Sequence, residues 1–149
     1  MTSHVSIRSA RPAMTAELVA RTGLSEAQLS ELVHRFYTRV RGDQVLGPIF
    51  EERITDWEAH LDRMVEFWSS VALMTGRYHG APMPKHASLP VGWAHFERWL
   101  DLFRQTARET CTREGAAHVI ERAERIAQSL YLAVQTTQQH AISSPAELR

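Results

Sequence analysis

The sequence predicts an all-α fold with one long loop, and three observations lead to this prediction. Apolar residues recur at helical spacing in several segments, and no segment alternates apolar and polar residues as a half-buried strand does. No pattern repeats at a fixed period, so a repeat architecture is not expected. Glycine and proline are concentrated in residues 76–92, which predicts a long loop. We therefore expect about five helices with one long loop in the middle of the chain.

The first well-defined helix is expected after Ser25. Residues 1–14 are interpreted as a loosely docked tail, and residues 15–21 as a short helix. Ser25 and Gln28 have the spacing of a capping box, in which each side chain binds a backbone N–H of the other residue. Apolar residues then follow at helical spacing until Gly42 ends the helix. They are Leu29, Leu32, Val33, Phe36, Tyr37 and Val40.

A second helix is expected before the loop. Gly47-Pro48 predicts a turn, and a short apolar segment follows it. Thr55 and Glu58 have the spacing of another capping box, and the helix after them is expected to end near Gly76. Its apolar stripe consists of His60, Met64, Phe67, Trp68 and Val71.

Two more helices are expected after the loop, the last one from about residue 116 to about residue 138. The inward residues of the first are Trp93, Phe96, Trp99, Leu100, Phe103 and Ala107. Those of the second are Val119, Ala123, Ile126, Ala127, Leu130 and Val134. Residues 25–140 are thus expected to form one domain, between an N-terminal tail with a short helix over 1–24 and a C-terminal tail over 141–149.

Charge and cysteine content exclude several classes of protein. Lys plus Arg and Asp plus Glu both number 17, so no basic surface for nucleic acid or anionic lipid is expected. Cys111 is the sole cysteine, which excludes an internal disulfide, a covalent haem attachment through two cysteines and a cysteine-rich metal module. No apolar segment has the length of a signal-peptide core or a membrane span, so we expect a cytoplasmic protein.

Two of the eight histidines lie among large aromatic residues. Taken alone, His60 is best interpreted as a half-buried histidine bonded to a backbone carbonyl, and His86 as an exposed loop residue. The aromatic set around them changes this interpretation, because a flat apolar pocket with a few polar groups is typical of a cofactor site. The set consists of Phe36, Tyr37, Phe50, Phe67, Trp68, Phe96, Trp99 and Phe103.

Other kinds of site have weaker support in the sequence. No H-E-x-x-H motif and no pair of Glu-x-x-His motifs indicates a zinc or di-iron centre. No glycine-rich phosphate-binding motif and no G-x-S-x-G nucleophile motif is present. Cys111 has no obvious activating neighbour and is interpreted as a small structural residue.

A series of short motifs runs in order through most of the chain. They are Phe36-Tyr37-x-x-Val40-Arg41-x-Asp43, Leu46-Gly47-Pro48-Ile49-Phe50, Trp57-x-x-His60, Phe67-Trp68, Thr75-Gly76-x-Tyr78-x-Gly80-x-Pro82, Lys85-His86, Leu89-Pro90 and Phe96-x-x-Trp99-Leu100-x-Leu102-Phe103. No single motif is diagnostic, but the ordered series is specific. From about residue 29 to residue 131 the sequence resembles the group III truncated haemoglobins. The Gly-Gly motifs of other truncated haemoglobin groups are missing, which fits group III.

The resemblance implies a truncated globin fold, with helices packed two on two around one non-covalent haem b. It implies His86 as the proximal iron ligand, held in place through the second ring nitrogen. It places Tyr37, His60 and Trp99 on the distal side, where their N–H and O–H groups can stabilise partial negative charge on a bound gas. It also implies the apolar wall residues Phe50, Met64, Phe67 and Trp68, and Tyr78 and Lys85 near the haem propionates.

The resemblance further implies binding of O2, NO or CO at a pentacoordinate iron. Three distal donors are more than reversible oxygen transport needs, so we favour turnover as a nitric oxide dioxygenase or a peroxidase-like enzyme with an unidentified reductase. One alternative is an oxygen- or redox-sensing module without turnover. Another is a haem-free helical interaction protein whose aromatic stripe is simply core. A monomer or weak homo-oligomer is expected.

Overall fold

The computed structural model describes residues 2–80, 86 and 89–143, with side chains described from residue 12 to residue 139 within those ranges. The described residues form six helices and no strand, which confirms the expected all-α class. The helices are α1 (Thr2–Thr22), α2 (Glu26–Gly42), α3 (Leu46–Arg53), α4 (Trp57–Leu73), α5 (Trp93–Thr110) and α6 (Arg113–Ser143). The expected C-terminal tail lies largely outside the described residues.

Helix α1 is longer than the sequence pattern indicated, because it begins at Thr2 rather than near residue 15. Pro12 lies inside it, and proline lacks the N–H that an interior helix position donates, so periodicity alone favoured a later start. The last two turns of α1 are tied to the rest of the fold. The hydroxyl of Thr15 donates to the carbonyl of Leu73 at 2.7 Å, and the hydroxyl of Thr112 donates to the carbonyl of Thr22 at 2.6 Å.

Helix α2 begins where the sequence predicted. The Gln28 N–H donates to the Ser25 hydroxyl oxygen at 3.1 Å, which satisfies one of the free N–H groups at the helix start. After Gly42 the chain turns directly into α3, where the sequence had predicted only a turn and a short apolar segment. The Asp43 carboxylate accepts the N–H groups of Val45 and Leu46 at 3.1 and 2.9 Å, which satisfies two backbone donors where this helix begins.

Helix α4 is capped by Asp56 and not by Thr55, so the predicted capping box is wrong by one residue. The Asp56 carboxylate accepts the N–H of Ala59 at 3.1 Å. The helix ends at Leu73, and Met74 follows it in the left-handed conformation, with a φ of 57°. This turn directs the chain away from α4 and into the segment that leads to His86.

Two helix pairs make up the body of the fold. Helix α2 packs on α4, α5 packs on α6, and α2 also packs across α5, as expected for a two-on-two arrangement. Aromatic rings fill the space between the pairs: Phe36 and Phe103 are 1 % exposed, and the Trp68 ring stacks on Phe103 at 4.8 Å. Among the described helices, none is both long and apolar enough to cross a membrane.

Candidate functional site

A cavity of about 820 Å³, which includes its opening to solvent, lies between the two helix pairs and the segment around His86. Its lining is almost entirely apolar. The lining residues are Tyr37, Leu46, Ile49, Phe50, Met64, Phe67, Trp68, His86, Leu89, Val91, His95, Phe96, Trp99, Ile126, Ala127 and Leu130.

Tyr37 brings a phenol to this apolar wall from the middle of α2. The residue is 5 % exposed, and burial raises the pKa of the phenol well above its ordinary value. The O–H group is therefore protonated across the physiological pH range and is available as a hydrogen-bond donor. The ring packs against Phe36 at 4.9 Å and Phe50 at 6.0 Å, which limits where the hydroxyl can lie.

Trp99 brings an indole to the same cavity from α5. Its ring is nearly perpendicular to Phe36, at a centroid distance of 5.4 Å, and nearly parallel to Phe103 at 5.7 Å. Phe96, one turn earlier on the same face of α5, also lines the cavity. The position of Trp99 is thus set by the aromatic core behind it.

His86 lies on the cavity wall and is half-buried. Its carbonyl accepts the N–H of Leu89 at 3.1 Å, and the Leu89 carbonyl accepts the N–H of Val91 at 2.9 Å. The amide of Gln138, near the end of α6, donates to the Val91 carbonyl at 3.3 Å. The structure therefore places His86, Tyr37 and Trp99 on the wall of one cavity.

His60 lies beside the cavity, in contact with Tyr37. The two ring centroids are 5.0 Å apart and the rings are nearly perpendicular. Phe50, Met64, Phe67 and Trp68, which the family resemblance implied as apolar wall residues, are among the residues that line the cavity.

Comparison with known proteins identifies the family to which this arrangement belongs. A family model described as bacterial-like globin matches residues 20–131, which is most of the chain. The chain is a bacterial-like globin.

A relative and a solved structure place this globin more narrowly. It is 33 % identical over 109 residues to a group 3 truncated hemoglobin of Campylobacter jejuni, and the match covers 70 % of this chain and 86 % of that protein. The crystal structure of a group III truncated hemoglobin from the same species superposes with a TM-score of 0.70 at 32 % identity, covering 74 % of this chain and 91 % of the other. These findings confirm the group III resemblance and the truncated globin fold.

Membership of the globin family implies that the protein binds haem and gaseous ligands such as O2. The residues present in the cavity fit this group. Flat aromatic rings and aliphatic side chains line a space suited to a flat apolar molecule, and a histidine on the wall can supply a nitrogen ligand to iron.

Two residues that the family resemblance placed near the haem propionates are not among the described residues that line the cavity. Tyr78 is not among the lining residues; its ring packs edge-to-face on Phe67 at 5.1 Å, and its N–H donates to the Ser70 hydroxyl at 2.8 Å. Lys85 lies outside the described residues. Their predicted role therefore stays a prediction.

Sequence reasoning missed His95 as a residue of the cavity wall. The Nδ1 atom of His95 accepts the N–H of Gly92 at 3.0 Å, at the start of α5. With Nδ1 as an acceptor, the proton of the neutral ring is on Nε2. The signal available in the sequence was the four-residue spacing from His95 to Trp99, which puts both on one face of α5.

Three apolar wall residues of α6 were also not assigned to the cavity, namely Ile126, Ala127 and Leu130. The sequence identified them as the inward face of a helix. Nothing in their type distinguishes residues that line a cavity from residues that pack into a core.

Proposed function

We propose that this globin holds one haem b non-covalently and binds O2, NO or CO at a pentacoordinate iron. The observation that carries the proposal is the presence of His86, Tyr37 and Trp99 on the wall of one apolar cavity. In this proposal, the imidazole of His86 is the single protein ligand of the iron. Non-covalent attachment is supported by the cysteine content, because Cys111 alone cannot form two thioether bonds.

Tyr37 and Trp99 are the proposed hydrogen-bond donors for the gas. A donor in a water-poor, apolar pocket stabilises partial negative charge more strongly than the same donor in water. The Tyr37 phenol keeps its proton because burial raises its pKa, and both rings are held by aromatic neighbours, so little reorganisation is needed when a ligand arrives. When bound, the haem supplies an iron that binds diatomic gases and exchanges single electrons.

The apolar wall residues exclude water and fit the flat faces of the cofactor. Met64, Phe67 and Trp68 come from one stripe of α4, and Phe50 comes from α3. His60 is proposed as a gate or secondary donor, since its ring lies against Tyr37 at the edge of the cavity.

The reaction that we favour is conversion of NO and O2, with one electron, to nitrate. It is supported by the convergence of strong donors, which suits tight retention of O2 more than rapid release. An external reductase supplies the electron in this proposal. Reduction of peroxide by the same site is a related activity, because it also needs donors beside the iron and an electron supply.

A sensing role without turnover is the second candidate. It is favoured by α1, most of which lies before residue 20, where the family match begins. Through Thr15, α1 is bonded to the end of α4, directly before the segment that leads to His86. In a sensor, α1 would change its amide hydrogen exchange when a gas binds, and in the turnover proposal it would not.

Two measurements test the proposal in order. The absorption spectrum of the purified protein, oxidised and then reduced under CO, should show the intense Soret band of a histidine-ligated haem. Stopped-flow mixing of the oxygenated protein with NO should then give nitrate and a fast ferric product. A protein without a Soret band after haem is added contradicts haem binding, and a protein that binds O2 but yields no nitrate contradicts NO turnover alone.

A further inference from the structure

Three aromatic rings next to the cavity contact one another in a closed triangle. The centroid distances are 5.0 Å between Tyr37 and His60, 5.5 Å between Trp57 and His60, and 6.0 Å between Tyr37 and Trp57. The His60 ring is nearly perpendicular to both neighbours, at 86° in each case. Edge-to-face pairs of this kind are attractive, so Trp57 and Tyr37 together define a preferred position for the imidazole.

Trp57 is itself held by charged side chains at the surface. The guanidinium of Arg41 lies 4.3 Å from the centroid of its ring, a cation–π contact. The carboxylate of Glu51 accepts the indole N–H at 3.4 Å and the Nε–H of Arg41 at 2.8 Å. These contacts lower the pKa of Glu51, Arg41 having the largest effect, so the carboxylate is charged at neutral pH.

The five residues in these contacts come from three helices at the edge of the cavity. Arg41 is one turn after Tyr37 on α2, Glu51 is on α3, and Trp57 is the first residue of α4, one turn before His60. An exposed ion pair is therefore connected to the histidine beside the cavity through a single indole ring. The side chains of Arg41 and Glu51 are 45 % and 47 % exposed.

We propose that Trp57 is a positioning residue that controls ligand entry. It holds the His60 ring against Tyr37, and the Arg41–Glu51 ion pair holds Trp57 in turn. This inference rests on the proposed haem site, because it assigns the regulation of access to that site. Loosening the indole lets the imidazole leave Tyr37 and opens the edge of the cavity to a diatomic ligand.

The first test replaces the ring with an aliphatic side chain. Trp57→Leu removes one edge-to-face contact of His60, and we expect ligand entry to accelerate by roughly threefold to tenfold. CO recombination after flash photolysis measures entry. The C–O stretch and the proton resonances of the His60 ring in the CO complex report the position of the imidazole independently of turnover.

Trp93→Leu is the matched control, because Trp93 packs on Phe96 and Tyr131 at 6.3 and 5.3 Å, away from the triangle. It should leave the His60 resonances and the C–O stretch as they are in the unmodified protein. Equal CO rates and equal His60 spectra in the Trp57→Leu and Trp93→Leu proteins would overturn the proposal.

The second test addresses the ion pair. Glu51→Gln keeps the shape of the side chain and removes its charge, so CO entry should rise by roughly twofold, and added salt should no longer accelerate it. Glu31→Gln is the control, because Glu31 pairs with Arg35 at 2.9 Å with 46 % and 53 % exposure but does not contact Trp57. A salt effect in the unmodified protein that persists in Glu51→Gln contradicts the role of the pair.

The outcomes separate this inference from the proposed function. Absence of a Soret band in the unmodified protein contradicts the haem site. In that case the His60 resonances of the full chain still show whether Trp57 holds the ring. A normal Soret band with His60 spectra that do not respond to Trp57→Leu contradicts the positioning role alone.

Discussion

The cavity has two walls that are built in different ways. What we call the helical wall includes Tyr37 of α2 and Trp99 of α5, with Phe36 and Phe103 packed behind them. The loop wall includes His86, Leu89 and Val91; Leu89 and Val91 pack against the hydrophobic core, and the Gln138 amide of α6 donates to the Val91 carbonyl. The proposed gas donors are thus fixed by close ring packing, whereas the proposed iron ligand is half-buried on a segment that Leu89 and Val91 anchor to the core.

This difference divides the expected effects of mutation between stability and cofactor retention. A change behind the helical wall should destabilise the whole domain, because the same rings form the core between the helix pairs. A change in the loop wall should weaken the hold on the haem and leave the core largely intact. The experiments below test this division, beginning with the largest effect.

Phe36→Ala should reduce the free energy of unfolding by about 3–5 kcal/mol, because the ring is fully buried and its neighbours cannot refill the space. Phe36 contacts Trp99 and Phe103, so the helical wall loses its support. Leu89→Ala in the loop wall is the matched comparison and should cost only about 1–2 kcal/mol, since Leu89 is half-buried. Urea unfolding of the two haem-free proteins measures both values, and equal losses would contradict the proposed division.

His86→Ala should weaken haem retention by at least about 100-fold while the haem-free protein unfolds almost as before. The side chain is half-buried on the loop wall, and the proposal makes it the sole protein ligand of the iron. Transfer of haem to an excess of an apoglobin acceptor measures retention. Added imidazole should restore a histidine-type spectrum. His95→Ala is the control, and a larger loss of haem there than in His86→Ala would show that the ligand was assigned to the wrong histidine.

The sequence revealed the helical wall more completely than the loop wall, for a physical reason. Helical spacing projects Phe36, Tyr37, Trp99 and Phe103 onto inward faces, so their inward orientation follows from periodicity alone. Residues 76–92 have no period, and the place of His86 came from the family resemblance. The membership of His95 in the wall depends on how α5 begins at Gly92, which is a tertiary detail that spacing does not report.

The same limit explains why the Trp57 contacts could not be predicted. Tyr37 was recognised in one motif and Trp57 and His60 in another, but their triangle depends on how α2 packs on α4. Likewise, Asp43 was seen only as a motif residue. In the structure its carboxylate accepts two backbone N–H groups at the start of α3 and pairs with Arg98, whose hydrogen bond is the main reason that the pKa of Asp43 falls to about 2.

Tyr37→Phe should accelerate O2 dissociation by roughly tenfold, because it removes one hydrogen bond to the ligand and preserves the buried ring. Trp99→Phe is the matched variant on the helical wall, and we expect a smaller increase. Because burial raises the pKa of Tyr37, the phenol remains a donor as pH rises, and the dissociation rate of the unmodified protein should be constant up to pH 10. If Tyr37→Phe left the O2 dissociation rate unchanged and Trp99→Phe raised it steeply, Trp99 would be the stronger donor and our ranking would be wrong.

Gln138→Ala should have the smallest effect of these substitutions, and it should change haem retention without changing ligand binding at the helical wall. The Gln138 amide donates to the Val91 carbonyl, and the loss of one such bond is expected to accelerate haem loss by roughly threefold. O2 dissociation should stay the same, because Tyr37 and Trp99 do not contact this amide. Gln135→Ala, one turn earlier on α6, is a control for helix propensity. If Gln138→Ala changed the rate of O2 dissociation as much as the rate of haem loss, the two walls would be coupled. The proposed division between the helical wall and the loop wall would then fail.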